Sequence, residues 1–191
     1  MGCKLTRSLP DNACSYAVAG ARKLYFANWY PAKDAAETGA TPIDGVIQYH
    51  TNTDGAIDSI ILPTGEMFYE IDGTTGSLSF TDALTVGSNG GKYRTHTANA
   101  VLPRLDADMQ EEADALSLGR FVVVAVDAAG RIVVLGRTGG LAATQLDYGS
   151  GAAEGDASGW TGVWAGTSTE VAPLVTDVSV ITPLYREEVK P

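Results

Sequence analysis

Histidine and cysteine are nearly missing from this chain, with two of each among 191 residues. Cys3 and Cys14 are too few for a disulfide framework, and no CxxC pair offers a zinc corner, so both read as reduced, inert thiols. His50 and His96 have no nucleophile-elbow serine and no triad spacing near them, so each reads as a strand or loop residue rather than a base. No apolar run reaches the roughly 18 residues that a spanning helix needs, so no membrane is expected among the partners. Residues 1–20 lack an apolar core and are interrupted by Pro10 and Asp11, so no secretory signal is expected and folding in a cytoplasm is.

Basic residues are also scarce. Thirteen Lys and Arg against 23 Asp and Glu leave a formal charge of −10, whereas a grip on nucleic acid needs clustered cations for the phosphates. Phosphate cradles are absent: Gly90-Gly91-Lys92 lacks the Ser or Thr that follows in a Walker loop, and Gly149-Ser150-Gly151 opens no helix. Residues 52–58 lack the spacing and the distant bidentate Glu of a calcium loop and read as an Asx turn on Asn52. Glu111 and Glu112 are adjacent on a helix, hence on different faces, and read as solvated surface. Neither an enzyme nor a cofactor or metal is expected.

What the chain does have is glycine, 22 of them, with many Thr and Ser residues and a 45% hydrophobic content. Gly weakens helix interiors and supplies turns, so this composition favours strands. One domain over residues 1–191 is expected, with a core at about 20–182, a long loop at 30–54 and a charged tail at 183–191. The fold class expected is mainly β: two packed antiparallel sheets, sandwich- or barrel-like, flanked by one α-helix, with long loops and terminal arms. The helix is read from Leu105, Met109, Ala113 and Leu116 at helical spacing, with Asp108 and Glu111 near its positive end and Gly119 as a left-handed stop. Directly after it, 121–126 reads as a strand buried on both faces, 127–130 as a turn and 131–135 as the returning strand. Further strands are expected at 23–29, 46–49, 57–62, 66–72, 76–86, 92–102, 160–166 and 174–182, with a loop over 139–159.

Alternation within the strands sorts their faces. Along 76–86, Leu78, Phe80, Leu84 and Val86 share one face, and Ser77, Ser79, Thr81 and Thr85 share the other. Thr95, Thr97 and Asn99 repeat the small polar pattern, and Glu66, Glu70 and Asp72 line a face of the strand before. The three strands read as neighbours in one sheet with an apolar and a polar side. Asp82 breaks parity by falling on the apolar side, which suggests an edge or a bulge.

The order of elements over about 76–173 resembles the tail tube protein of tailed bacteriophages. The resemblance rests on Ser79-Phe80-Thr81-Asp82, the turn Asn89-Gly90-Gly91, the strand 93–102, the helix ending at Leu116, and Phe121-Val122-Val123-Val124 with Asp127 and Gly130. It continues through Val134-Leu135-Gly136, Gly139-Gly140-Leu141, and Gly159-Trp160 to Gly166 with Glu170 and Ala172-Pro173. It implies packed antiparallel sheets with one helix, assembled as homo-hexameric rings that stack on themselves into a hollow tube, in contact with other tail proteins. Such a protein belongs to the virion, is assembled in the host bacterial cytoplasm, and lets DNA pass during ejection without specific binding.

A wall of hydroxyls and carboxylates stays hydrated and repels phosphates, and a ring of six would carry about −60 in formal charge. The expected lumen residues are Glu66, Glu70, Asp72, Ser77, Ser79, Thr81, Thr85, Thr95, Thr97 and Asn99. The 30–54 loop is the first expected ring-stacking element, with the N-terminal segment and 174–191 next. Two alternatives share the strand content: a glycan-binding β-sandwich module using Trp29, Trp160 and Trp164 as stacking platforms, and a single-ring tail terminator or connector.

Overall fold

The structure, a computed structural model, describes residues 19–72, 76–102, 107–150, 158–181 and 183–185. In chain order the elements are β1 (Ala21–Asn28), β2 (Ala32–Asp34), β3 (Ile47–Thr51), β4 (Ile57–Ile61), β5 (Phe68–Asp72), β6 (Leu78–Val86) and β7 (Lys92–Leu102). After these come α1 (Ala107–Leu118), β8 (Arg120–Asp127), β9 (Ile132–Leu135), β10 (Leu141–Gly149), β11 (Gly159–Ser168), β12 (Leu174–Val175), a 3-10 turn (Val178–Val180) and β13 (Leu184–Tyr185).

Strand β8 is the spine. After Arg120 every one of its residues is buried, as expected of a run of β-branched residues covered on both faces. It pairs antiparallel with β1, setting Phe26 opposite Val123 and Tyr25 opposite Val124. Alternation then divides the core. Val122, Val124 and Val126 join Tyr25 and Ala27 in one hydrophobic cluster, closed by Ile47, Tyr49, Ile57, Ile60, Phe68 and Ile181. Val123, Ala125 and Phe121 join Leu24 and Phe26 in a second cluster, closed by Leu78, Ala98, Ala100, Leu141 and Trp164. Trp164 is the largest fully buried side chain; its ring meets Phe26 edge-on at 5.1 Å, and its indole N–H donates to the Leu116 carbonyl of α1 at 3.0 Å. The helix, about three turns long, is thereby tied to the second cluster, where Leu116 packs.

The chain is mainly β with one α-helix among the described residues, and its packing is sandwich-like. All the strands belong to one mixed sheet running β2-β3-β4-β12-β9-β8-β10-β11-β7-β6, with β5 and β13 branching off through β1. Three pairings are parallel, β2 with β3, β12 with β4 and β13 with β5, and each involves a strand of only two or three residues.

Several expectations change. Residues 139–159 are not simply a loop, because β10 occupies Leu141–Gly149; a bulge at Thr144 switches the inward set from Leu141 and Ala143 to Leu146, which hides the alternation. Within the 30–54 segment the short strand expected at 46–49 is found as β3, which buries Ile47, Gln48 and Tyr49; the unexpected element is β2, exposed throughout, which pairs beside it without any apolar signature. The strand expected at 174–182 shortens to two residues because the Asp177 side chain caps a 3-10 turn, accepting from the Ser179 amide at 2.8 Å. In the tail, Leu184–Tyr185 pairs parallel to β5 within the same chain, and 186–191 lies outside the described residues, as do Leu105 and the N-terminal segment to residue 18. Gly119 stops the helix without a left-handed φ. Its missing Cβ is what matters: one placed there would come 2.5 Å from Cζ of Phe121. The 127–130 turn forms as expected, with Asp127 accepting both the backbone amide of Arg131 at 2.7 Å and its Nε at 2.6 Å.

Candidate functional site

Strands β6, β7, β11 and β10 make a continuous antiparallel sheet whose inner face closes the second cluster. The register places Ser79 opposite Asn99 and Thr81 opposite Thr97 across β6 and β7, and Thr97 opposite Ala165 and Thr95 opposite Thr167 across β7 and β11. Because Leu78, Ala98, Ala100 and Trp164 point inward, the intervening positions point outward, and none of those is fully buried. Their side chains knit to each other: the Asn99 amide donates to the Ser79 hydroxyl at 3.1 Å, and the Thr85 and Thr95 hydroxyls lie 3.3 Å apart. Thr161 and Thr167 extend the hydroxyl field over β11, and Gln145 donates to Asp147 at 2.8 Å on β10. Among the described residues the face carries no Lys or Arg, and Asp147 is its one formal charge.

The expected polar set therefore divides. Ser79, Thr81, Thr85, Thr95, Thr97 and Asn99 gather on this face, with Ser77 just before β6. Glu66, Glu70 and Asp72 do not join them, because β5 pairs with β1 and β13, not with β6. Phe68 of the same strand parity lies in the first cluster, so Glu70 sits on that side of β1, with the β1–β8 layer between it and the hydroxyl face. Both glutamates are engaged there: Glu70 with Lys23, and Glu66 with the Asn28 amide at 2.9 Å and the Tyr30 hydroxyl at 2.8 Å. That hydrogen bond to Glu66 pushes the Tyr30 phenol up. Asp72 stands opposite Lys23 in register. Reading three consecutive strands as one face failed because period-two alternation reports faces, not neighbours.

At one end of the hydroxyl sheet lies a polar cluster that the sequence flagged only through the misplaced Asp82. Asp82 Oδ1 accepts from Arg94 Nε at 2.5 Å, Oδ2 accepts from the Ala172 amide at 3.0 Å, and its main-chain carbonyl accepts from Arg94 at 3.1 Å. Burial alone would raise the Asp82 carboxyl; the Arg94 and Ala172 hydrogen bonds and the Arg94 charge hold it below the ordinary range instead. β6 ends the strand order, so the edge position expected for Asp82 is what is found. Next along β7 on the same face, His96 is fully buried and its Nδ1 accepts from the Gly136 amide at 3.2 Å. Arg137 follows, gripping Glu170 through Nε at 2.8 Å and through NH2, with its guanidinium 5.5 Å over the Tyr49 ring. The paired carboxylate raises the Arg137 pKa further, and burial raises the Tyr49 phenol.

The remaining motifs resolve structurally. Asn52 Oδ1 accepts from the Asp54 and Ala56 amides, both at 3.0 Å, which is the expected Asx turn. His50 is hydrogen-bonded to Asp58. None of the three tryptophans stands exposed: Trp164 is core, Trp29 lies against Gly140 with its N–H donating to the Arg137 carbonyl at 3.3 Å, and Trp160 packs on Tyr148 at 5.5 Å. Among the described residues no group of three or more His, Cys, Asp or Glu side chains is arranged to hold a metal, and no helix is long and apolar enough to cross a membrane. Comparisons with protein-family models, with curated proteins and with solved structures find no match.

Proposed function

We propose that this chain is a structural subunit that closes into six-membered rings, which stack as a tube conducting DNA, like the phage tail tube proteins its element order resembles. The observation that carries the reading is the outer face of β6-β7-β11-β10, wide, hydroxylated, free of Lys and Arg among the described residues, and backed by the second hydrophobic cluster. A conduit for a polyanion needs such a surface. Retention of nucleic acid comes from cations that displace phosphate counterions, and this face offers none. The −10 charge of the chain adds a repulsion that salt limits to about 10 Å.

Among the described residues, both sides of this sheet have strand backbone without a strand partner, which suits lateral joining. β6 ends the strand order, and β10 pairs with β8 only through Leu141 and Ala142, leaving its remaining length with β11 alone among the described strands. An exposed edge is an aggregation hazard in a monomer and a closure device in a ring. Six copies joined β6 to β10 make a wall of about 24 strands. At ~4.8 Å spacing and ~40° tilt that wall is roughly 48 Å across, which leaves room for a duplex inside the side chains.

Negative-stain electron microscopy of the concentrated protein tests the reading. Stacked hollow tubes are expected; single rings would indicate a terminator or connector, and monomers at every concentration would overturn it. Glycan binding by those monomers would favour the sandwich-module alternative.

A further inference from the structure

His96 is the one histidine in the core, and every side of its ring is occupied. Its side chain is 1% exposed. Nδ1 accepts the Gly136 amide at 3.2 Å, so the neutral ring carries its proton on Nε2. Nε2 lies 3.4 Å from Asp82 Oδ1 of β6, without the alignment of a hydrogen bond. The charged groups facing the ring are Asp82 from β6, Arg94 from β7 itself and Glu170 from the segment after β11. Arg137, adjacent to Gly136, is tied to Glu170. Burial lowers the His96 pKa, and this outweighs Asp82 and the Glu170 carbonyl and carboxylate, which favour a proton.

The turn that His96 holds has no slack. Gly136 has φ +73° and Gly140 φ +70°, and the Gly140 amide donates back to the Gly136 carbonyl at 2.8 Å. A Cβ on Gly166 of β11 would come 2.1 Å from the Gly140 carbonyl oxygen, and one on Gly140 would come 2.9 Å from Cγ of Trp29. The turn is therefore wedged between β11 and Trp29, and its first amide hangs on a single imidazole nitrogen.

We infer that His96 is a proton-sensitive pin, and that charging its ring releases the 136–140 turn from the β6–β7 hairpin. A second proton can go only to Nδ1, which turns the acceptor of the Gly136 amide into a donor facing a donor. The contact is lost and becomes a repulsion. The inference concerns the fold itself and holds whether or not the chain forms tubes.

The sign follows from linkage. A histidine kept neutral in the folded state takes up protons on opening, so the stability it contributes is complete above the ordinary value of 6.5 and is lost as pH falls below it. The opening constant of the turn should rise by about fivefold over the first pH unit below 6.5, steepening toward tenfold per unit while the folded ring stays neutral. Asp82, held below the ordinary carboxylate range, keeps its charge throughout.

Amide hydrogen exchange on the full chain at pH 7.5, 6.5 and 5.5, corrected for intrinsic rates, reads this at Gly136 and Gly140. Wild type should lose protection there by about fivefold between pH 6.5 and 5.5. His96→Gln, whose side-chain carbonyl can still accept the Gly136 amide, should show no such slope. His50→Gln should keep the wild-type slope. A flat wild-type profile, or a slope surviving in His96→Gln, overturns the inference. If His96→Gln fails to fold, nitrogen NMR of the wild-type ring decides: Nδ1 bare and Nε2 protonated down to pH 5.5 supports the pin, and ordinary titration near 6.5 with Gly136 still protected overturns it.

Discussion

Asp82 and Arg94 meet diagonally across the β6–β7 hairpin, where Arg94 donates to both the carboxylate and the main-chain carbonyl of the same aspartate. The other carboxylate oxygen accepts the Ala172 amide, so one side chain joins the hairpin to the segment after β11. Asp82→Ala strands a guanidinium and an amide together, and urea unfolding should show a loss of about 2–3 kcal/mol. Because the carboxyl is held below its ordinary value of 3.8, its contribution is present above that pH and lost as pH falls through the folded-state value. Asp82→Asn should flatten the acid limb below about pH 4.

Arg137→Lys should cost about 1–2 kcal/mol, since lysine cannot reproduce the two-pronged hold on Glu170 or lie flat over Tyr49. A double-mutant cycle with Glu170→Gln measures the coupling directly. Simple additivity would show that the pair contributes nothing.

Gly166→Ala drives a methyl group against the backbone carbonyl of Gly140 at 2.1 Å, and no rotamer change can relieve that contact. A loss of at least about 2 kcal/mol is expected by thermal unfolding. Gly149→Ala meets open space and should stay within about 0.5 kcal/mol of wild type.

Ser79→Lys with Thr167→Lys places cations on the hydroxyl face without touching either hydrophobic cluster. Tubes should still form but retain nucleic acid in a steeply salt-dependent way, readable as nuclease-protected material or slowed ejection. Intact tubes with unchanged transit would remove this face from the bore. Glu70→Lys should act differently, setting two lysines together at Lys23 and lowering stability rather than slowing passage.

Strands with uninterrupted patterns are legible in the sequence. The bounds of β7, the doubly buried β8 and the turn at Asp127 follow from alternation, β-branching and turn chemistry, and the hydroxyls of β6 and β7 were recognised as one face. Where a local irregularity intervened, legibility failed. The Thr144 bulge concealed β10, and with it Gln145 and Asp147 on the same face; β2 forms by pairing alone. The partner of β5 is set by long-range packing, so nothing in its own five residues could separate Glu70 from Ser79. The polar cluster at the end of the hydroxyl sheet has one signal, Asp82 out of parity, while His96 and Arg137 acquire their roles only when the 136–140 turn and the β6–β7 hairpin meet.

Since a single strand, β8, supplies alternate side chains to both hydrophobic clusters, neither cluster can melt while the other stays whole. The molecule should unfold in one cooperative step, with any motion short of that confined to hairpin tips, the 136–140 turn and the short parallel additions. A subunit of the proposed tube, which must yield at its contacts without losing its shape, would have its cooperative core and its pliable parts in separate places.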